Sequence, residues 1–466
     1  MKGRRNALTL LAAVALTAQG AKIEQVIVRQ QWPWSTDVKV EYRLTGVTAP
    51  VDIAVTTYNG DAELPLPASA VVGDLYGIDA DGVGQFVIDP VAAFGTAKVA
   101  LANFKVKLSV SASAANVGEV LYKIFDLTDG SCRDVTRADF LNGKMGTYET
   151  SYSAFGEGFT TPLSDVLVWT GVTNNPAYKT THLVMRKIPA GDVVWVCGDA
   201  EGTKSNRGHL RDRQYVKLTQ DYYVGVFEMT ACQYGTIFDG SFTGDGDGTD
   251  PKTDVQRFVI HGNPIGPGRG VVTGEFIAWP TNSYLRDVMA DSFLDKLRKK
   301  TSVEFDLPTA AEWQFACRAG SDTPLYSGKD QGERNVSEIA WYNSNAGDAS
   351  HVVGCKPPNA YGLYDMLGNV AEYVHNADTI HGSPTGSGTA DDPFVDPVGS
   401  SDAEAIYNSG THNQWYMGGS WKEDSGTWQD VRQAGAVGWY KWNQAAKPFI
   451  GFRVVCPAAS AQWAQH

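Results

Sequence analysis

The stretch GGSWKEDSGTWQDVR, Gly418 to Arg432, gathers a Ser-Trp pair, two adjacent acids, a second Trp and an Arg, with neither Cys nor His among them. Glu423 next to Asp424 is an arrangement in which like charge raises a carboxyl toward acid–base use. Ser420 and Arg432 would add a hydroxyl and a permanent cation. The same residue types also make an ordinary solvated turn. A second stretch, NAYGLYDMLGNVAEYV (Asn359–Val374), has glycines at 362 and 368 bracketing a tight turn. If that backbone curls, Asp365 and Glu372 approach each other, and backbone carbonyls complete a cation site. Carboxylates mixed with carbonyls suit calcium rather than zinc or copper. The alternative is a turn whose carboxylates cap nearby backbone N–H groups. A third, DGDGTD (Asp245–Asp250), alternates acids but lacks the terminal Glu and flanking helices of an EF-hand, and reads as a solvated acidic loop.

The bulk numbers limit what such sites can serve. A net charge of -13 over 466 residues, with KLRKK (Lys296–Lys300) as the most basic run, argues against nucleic-acid binding, which needs clustered cations. That run reads as the solvated C-terminal end of a helix. Lys2, Arg4 and Arg5 precede a short apolar run, ALTLLAAVALTA (Ala7–Ala18), and small residues through Gly20. This is the pattern of a signal peptide over 1–21, too short for a membrane anchor. The mature chain is therefore expected to be exported, periplasmic or extracellular, with no membrane span after cleavage. Six cysteines without a CxxC pair then meet an oxidising compartment, in a pairing that spacing alone does not fix.

The elements that must hold these sites fall into segments. From 22 to 113 the runs KIEQVIVRQ, VKVEYRLTGV, VDIAVTTYN, GQFVIDP and FKVKLSVSA read as short strands with turn signals between them, a small all-β, Ig-like sandwich. Residues 114–178 read as a connector with no fold of its own, containing one strand in EVLYKIFDL. Residues 179–457 form one domain rich in loops, and 458–466 a tail. Its clearest helix is TAAEWQFACRAG, with Thr309 as N-cap, Glu312 as capping-box partner and Gly320 past the end. The apolar spacing of TNSYLRDVMADSFLDKLRKK predicts a second helix beginning near Thr281.

LVMRKIPAGDVVWVCG, VKLTQDYYVGVFEMTACQYG, LPTAAEWQFACRAG, VGCKPPNAYGLYDMLGNVAEYV, GGSW and IGFRVV follow one another between Leu183 and Val455. This ordered series resembles the formylglycine-generating enzyme family, the sulfatase-modifying factor domain. The resemblance implies an α+β fold, a compact variant of the C-type lectin fold. It implies a calcium site with Asp365, the carbonyls of Gly368 and Val370, and Glu372 as ligands. Ala371 stands where an aromatic residue ordinarily precedes that Glu, and of a further calcium segment, WYNSNAGD, Asn343 alone is kept. Active members oxidise a client cysteine with oxygen and copper held by two cysteines just after the Gly-Gly-Ser-aromatic turn. The corresponding positions here are Glu423 and Trp428, and neither supplies the sulfur that Cu(I) needs, so copper is not expected. Cys317 matches a position that forms a disulfide in the family, but its partner position is Gln433, so a buried hydrophobe is expected there.

Three readings follow. In the first, the domain keeps the fold, lacks formylglycine-generating activity, has no catalytic residues and is a binding or scaffold module for a protein or carbohydrate. Its candidate pocket is Ser420, Trp421, Glu423, Trp428 and Arg432. Trp439, Tyr440 and Trp442 either join that groove or belong to the core. In the second, Glu423, Ser420 and Arg432 run a different chemistry in an exported enzyme or maturation factor. In the third, the formylglycine oxidase is active.

Overall fold

A computed structural model describes residues 20–31, 33–95, 101, 103–153, 163–197, 214–238, 248–252, 288, 291–321, 325–327, 333–377, 386–397, 413–422, 437–441 and 448–458. The expected signal segment lies outside them except for its last two residues. Two compact units emerge, one of residues 1–121 with 135–148, the other of 122–134 with 149–466.

In the first unit the alternating runs become strands. They are β1 (Lys22–Gln30), β2 (Val38–Thr45), β3 (Val51–Asn59), β4 (Ala62–Leu64), β5 (Val71–Gly73), β6 (Gly82–Ile88) and β7 (Phe104–Ala112). They form two antiparallel sheets, ordered β1-β2-β6-β5 and β4-β3-β7. Period-two alternation decides which side chains go inward. On β2, Val40, Tyr42 and Leu44 are buried, while Lys39 and Glu41 pair on the other face. Val51, Ile53, Val106, Leu108 and Val110 from the second sheet share that core. Each such side chain contributes about 1.5–3 kcal/mol of burial. Gly84 faces Tyr42 so closely that a Cβ there would lie 2.2 Å from the ring. After β6, Asp89 caps the short helix α1 (Pro90–Phe94), with Pro at its first position.

The second unit starts earlier than the expected domain. β8 (Val120–Asp126) and β9 (Cys132–Thr136), inside the expected connector, are joined by a tight turn. β8 pairs with β12 (His182–Ile188), Leu183 opposite Phe125, because β12 presents an edge that the hairpin fills. The helix α2 (Arg137–Leu141) then follows in the first unit, with a Thr136–Asp139 capping box. The connector is thus divided between the units rather than standing between them.

A two-stranded ribbon, β10 (Glu149–Ser153) with β11 (Leu163–Val168), precedes β12. Next come β13 (Val193–Cys197), β14 (Gln214–Leu218), β15 (Tyr222–Gly225) and helix α3 (Ala231–Phe238). The first turn of α3 donates to the carbonyls of Asp250 and Gly248, at the end of the acidic DGDGTD run. Helix α4 (Phe293–Thr301) is shorter than its apolar spacing predicted. Asp291 is left-handed (φ 65) and Ser292 accepts from Asp295 N–H, so the helix starts there. Arg298, Lys299 and Lys300 fill its last turn as expected. Helix α5 (Ala310–Arg318) has the Thr309–Glu312 capping box and ends on left-handed Ala319.

The remaining strands are β16 (Ala371–Ala377), β17 (Phe394–Val395), β18 (Asn413–Met417), β19 (Val437–Lys441), β20 (Ile450–Gly451) and β21 (Val455–Pro457). Three sheets result: β21-β15-β12-β8-β9, β13-β14-β17 and β19-β18-β16-β20. The unit is α+β and mostly sheet. Helix α5 lies against β13 and β16, burying Trp313, Phe315 and Cys317 with Trp195 and Val374. The register of the third sheet sets the site: Glu372 lies opposite Met417 on β18 and opposite Gly451 on β20. The residues after Met417 and after Gly451 are thereby brought beside Glu372.

The β8–β9 turn shows how closely this unit is packed. Gly130 is left-handed (φ 84), and a Cβ there would lie 2.0 Å from the Lys300 carbonyl oxygen at the end of α4. Gly130→Ala is expected to cost about 1–3 kcal/mol, read as a lower denaturation midpoint of the second unit with the first unchanged.

Candidate functional site

The centre of the site is a buried ion pair. Arg453 Nε and Nη2 donate to the two oxygens of Glu372 at 2.7 and 2.6 Å, and both residues are 0% exposed. Trp313 Nε1, from α5, donates to Glu372 Oε2 at 2.7 Å. The other guanidinium donors reach the carbonyls of Gly225 at 2.9 Å and Tyr364 at 3.0 Å. A bidentate Arg–carboxylate pair needs this satisfaction of its remaining donors to survive without water.

The turn preceding Glu372 is built by two Asn residues. Asn359 accepts from Tyr361 and Leu363 N–H, both at 3.0 Å, and donates to the Ala316 and Cys317 carbonyls, which ties the turn to the end of α5. Asn369 is left-handed (φ 58) and fully buried. Its side chain accepts from His351 N–H at 2.8 Å and donates to the His351 carbonyl at 3.1 Å and to Glu228 Oε2 at 2.7 Å. Glu228 Oε1 accepts from Val370 N–H at 3.0 Å. Gly368 is left-handed (φ 77), and a Cβ there would strike the Trp341 carbonyl oxygen at 2.3 Å.

Asp365, Gly368, Val370 and Glu372, the expected calcium ligands, therefore sit on one buried turn. Asp365 Oδ2 accepts from Gly354 N–H at 2.6 Å, while its Oδ1 is buried with no hydrogen-bond partner. Burial pushes the Asp365 carboxyl up to about 6. Burial, then Asp365, then Glu372 push Glu228 well above the usual carboxylate range. The carboxylates Glu228, Asp365 and Glu372 are all buried, and the buried guanidinium of Arg453 is bonded to Glu372. Among the described residues no three Cys, His, Asp or Glu side chains converge on one metal position. A cation here would take one free Asp365 oxygen, backbone carbonyls, and the lone pair of Glu372 left over from its three donors; an all-oxygen set of this kind fits a hard divalent cation.

The GGSW turn lies directly on this one. Gly368 N–H donates to the Gly418 carbonyl at 2.9 Å, and Trp421 N–H donates to the Asn369 carbonyl at 2.8 Å. Ser420 is completely buried, and its Oγ accepts from Lys422 N–H at 3.3 Å. Trp421 is half-buried, with its indole N–H 3.3 Å from the Pro448 carbonyl. Asn343, the residue kept from the further calcium segment, donates to the Lys422 carbonyl at 3.3 Å. Glu423, Trp428 and Arg432 lie outside the described residues, as does Trp442, while Trp439 and Tyr440 fall on β19. Of the candidate pocket, then, one side chain is inward-facing and one borders solvent.

Cys317 is buried and forms no disulfide, with burial pushing its thiol far up, as expected of a small hydrophobe. Sequence reasoning missed Glu228, Trp313, Asn369 and Arg453. All four lie inside the runs that carry the family resemblance, so the signal was present in residue type, not in any visible pairing.

The ion pair gives a direct test. Arg453→Met alone leaves Glu372 buried without its partner and is expected to cost about 3–5 kcal/mol. Adding Glu372→Gln should recover part of that loss in a denaturant-unfolding cycle; strict additivity of the two changes would show the pair is not coupled.

Several known proteins are similar to parts of this chain. Formylglycine-generating enzyme from Mus musculus is 36% identical over 87 residues, 16% of this chain and 23% of that protein. The Bos taurus enzyme is 33% identical over 87 residues, again 16% and 23%. The chain thus spans less than a quarter of the length of these two relatives. Among solved structures, Treponema denticola variable protein 1 aligns over 59% of this chain and 96% of its own, at 21% identity and a TM-score of 0.40. PvdO from Pseudomonas aeruginosa aligns over 59% and 94%, at 18% identity and a TM-score of 0.38. The family model for the sulfatase-modifying factor enzyme 1-like domain matches residues 175–458, more than half of the chain, and the protein belongs to that family.

Proposed function

We propose that this is an exported protein, periplasmic or extracellular, whose sulfatase-modifying-factor domain is a binding or scaffold module without formylglycine-generating activity. The observation that carries the reading is chemical. The run from Gly418 to Arg432 has no cysteine, with Glu423 and Trp428 at the positions that the family resemblance assigns to the copper thiolates. Carboxylate and indole do not hold Cu(I). The ligand is a protein or a carbohydrate bound through the residues that follow GGSW in the sequence. The finer fold reading, a C-type lectin variant preceded by an Ig-like sandwich, is in keeping with loops carried on a stable frame. Full burial of Ser420 weighs against the alternative in which Glu423, Ser420 and Arg432 form a catalytic set.

Incubation with copper, oxygen and a peptide containing CxPxR tests this reading. No formylglycine product is expected by mass spectrometry; appearance of the aldehyde would restore the oxidase reading.

Calcium belongs to the same proposal as a structural ion on the Asp365–Glu372 turn, supplied with the Asp365 oxygen that has no partner. When bound it would compensate the buried Asp365 carboxylate. Calcium is expected to raise the melting temperature over that in chelator. The effect should depend on pH in a definite direction. Without calcium, folded Asp365 holds its proton up to about 6, against 3.8 ordinarily, so its contribution is present at low pH and is lost as pH rises between those values. Calcium should remove that loss. Melting curves across this pH range with and without chelator measure it, and superimposable curves would count against the ion.

A further inference from the structure

The contacts around Glu228 reach beyond the turn that it holds. Its carboxylate binds two consecutive residues, the Asn369 side-chain amide at 2.7 Å and the Val370 backbone N–H at 3.0 Å, from a position completely removed from solvent. Asn369 in turn commits its backbone to two further segments. Its N–H donates to the Trp341 carbonyl at 2.8 Å, and its carbonyl accepts from Trp421 N–H at 2.8 Å. One residue earlier, Gly368 N–H donates to the Gly418 carbonyl. The Gly418–Lys422 turn is therefore fastened at both ends to the backbone of Gly368 and Asn369. In a left-handed pair such as Gly368–Asn369 (φ 77 and 58), a small rotation of either peptide re-aims both bonds. Glu228 is the side chain that holds the Asn369 amide and the next peptide N–H, that of Val370.

We propose that Glu228 is a positioning residue joining the Asp365–Glu372 turn to the Gly418–Lys422 turn through Asn369, so that a divalent cation bound at the first turn orders the second. This inference rests on the cation reading above and assigns that cation a regulatory role toward the Gly418–Lys422 turn. The physical basis is connectivity. A cation held by Asp365 Oδ1, which is buried without a hydrogen-bond partner, and by the Gly368 and Val370 carbonyls would fix the same peptides that Glu228 holds through the Asn369 amide and the Val370 N–H. The two bonds to Gly418 and Trp421 pass that constraint on. A ligand with no differential interaction with the two states of a segment cannot shift it; here the differential interaction is the cation's contact with those two carbonyls.

Hydrogen exchange of the full chain, followed by mass spectrometry with calcium or chelator, tests the link alongside calorimetric measurement of calcium binding. Calcium is expected to slow exchange at least about tenfold in peptides covering 366–372 and 417–422, while leaving β3 and β7 unchanged. Glu228→Ala should bind calcium more weakly and lose the protection at 417–422. Glu228→Gln keeps an acceptor oxygen and should retain part of it, which also covers the case in which the Ala variant does not fold. Leu183→Ala, a core change in β12, should lower the melting temperature yet keep the calcium-dependent difference. Heat of calcium binding without protection at 417–422 overturns the inference and leaves the cation reading standing. Absence of any heat overturns the cation reading, and the inference with it.

Discussion

Arg453 takes its fixed charge out of water and commits its donors to three separated parts of the chain: Glu372 on β16, the Gly225 carbonyl at the end of β15, and the Tyr364 carbonyl within the turn. Trp313 brings α5 to the same carboxylate. A buried pair of this sort gains little net stability over a well-packed apolar replacement, yet it is strongly unfavourable when half of it is missing. Its effect is therefore on arrangement. Few alternative packings satisfy a guanidinium and a carboxylate together, and β15, β16, α5 and the strand after Gly451 must all be in register for this one to do so.

The turn that begins at Asn359 depends on that arrangement, since Asn359 hangs it from the end of α5 and Glu228 holds it from β15's side of the chain. Left-handed Asp365, Gly368 and Asn369 let the backbone fold back on itself within a few residues. Asn tolerates this conformation because its short amide makes local bonds, and the Asn369 amide both accepts from and donates to its neighbours. The GGSW turn is laid on top through paired backbone bonds. The frame of the GGSW turn, as far as Lys422, thus rests on backbone bonds and buried groups.

Much of the architecture was legible in the chain. β1, β3 and β7 coincide with runs read as strands, β2 shows the period-two alternation that marks one buried face, and α5 carries its own start signal in Thr309 and Glu312. Local signals failed where a neighbour in space decided the outcome. The apolar spacing before Phe293 suggested a longer helix, but Asp291 turns left-handed and Ser292 caps. The hairpin β8–β9 looked like connector because its partner, β12, lies far along the sequence.

At the site, residue order alone settles the donor types: carboxylates at 365 and 372, glycines where the turn must reverse, and no sulfur between Gly418 and Arg432. Those are properties of composition and spacing, and they fix which chemistry is possible. Which charges meet is a matter of the folded chain. Folding placed Glu228 beside Asn369 and Arg453 on Glu372, pairs that are 141 and 81 residues apart. It also buried Ser420, which the motif reading had assigned to a pocket. Hydrogen-bond satisfaction in a dry interior is settled among segments distant in the chain, and no local pattern encodes that pairing.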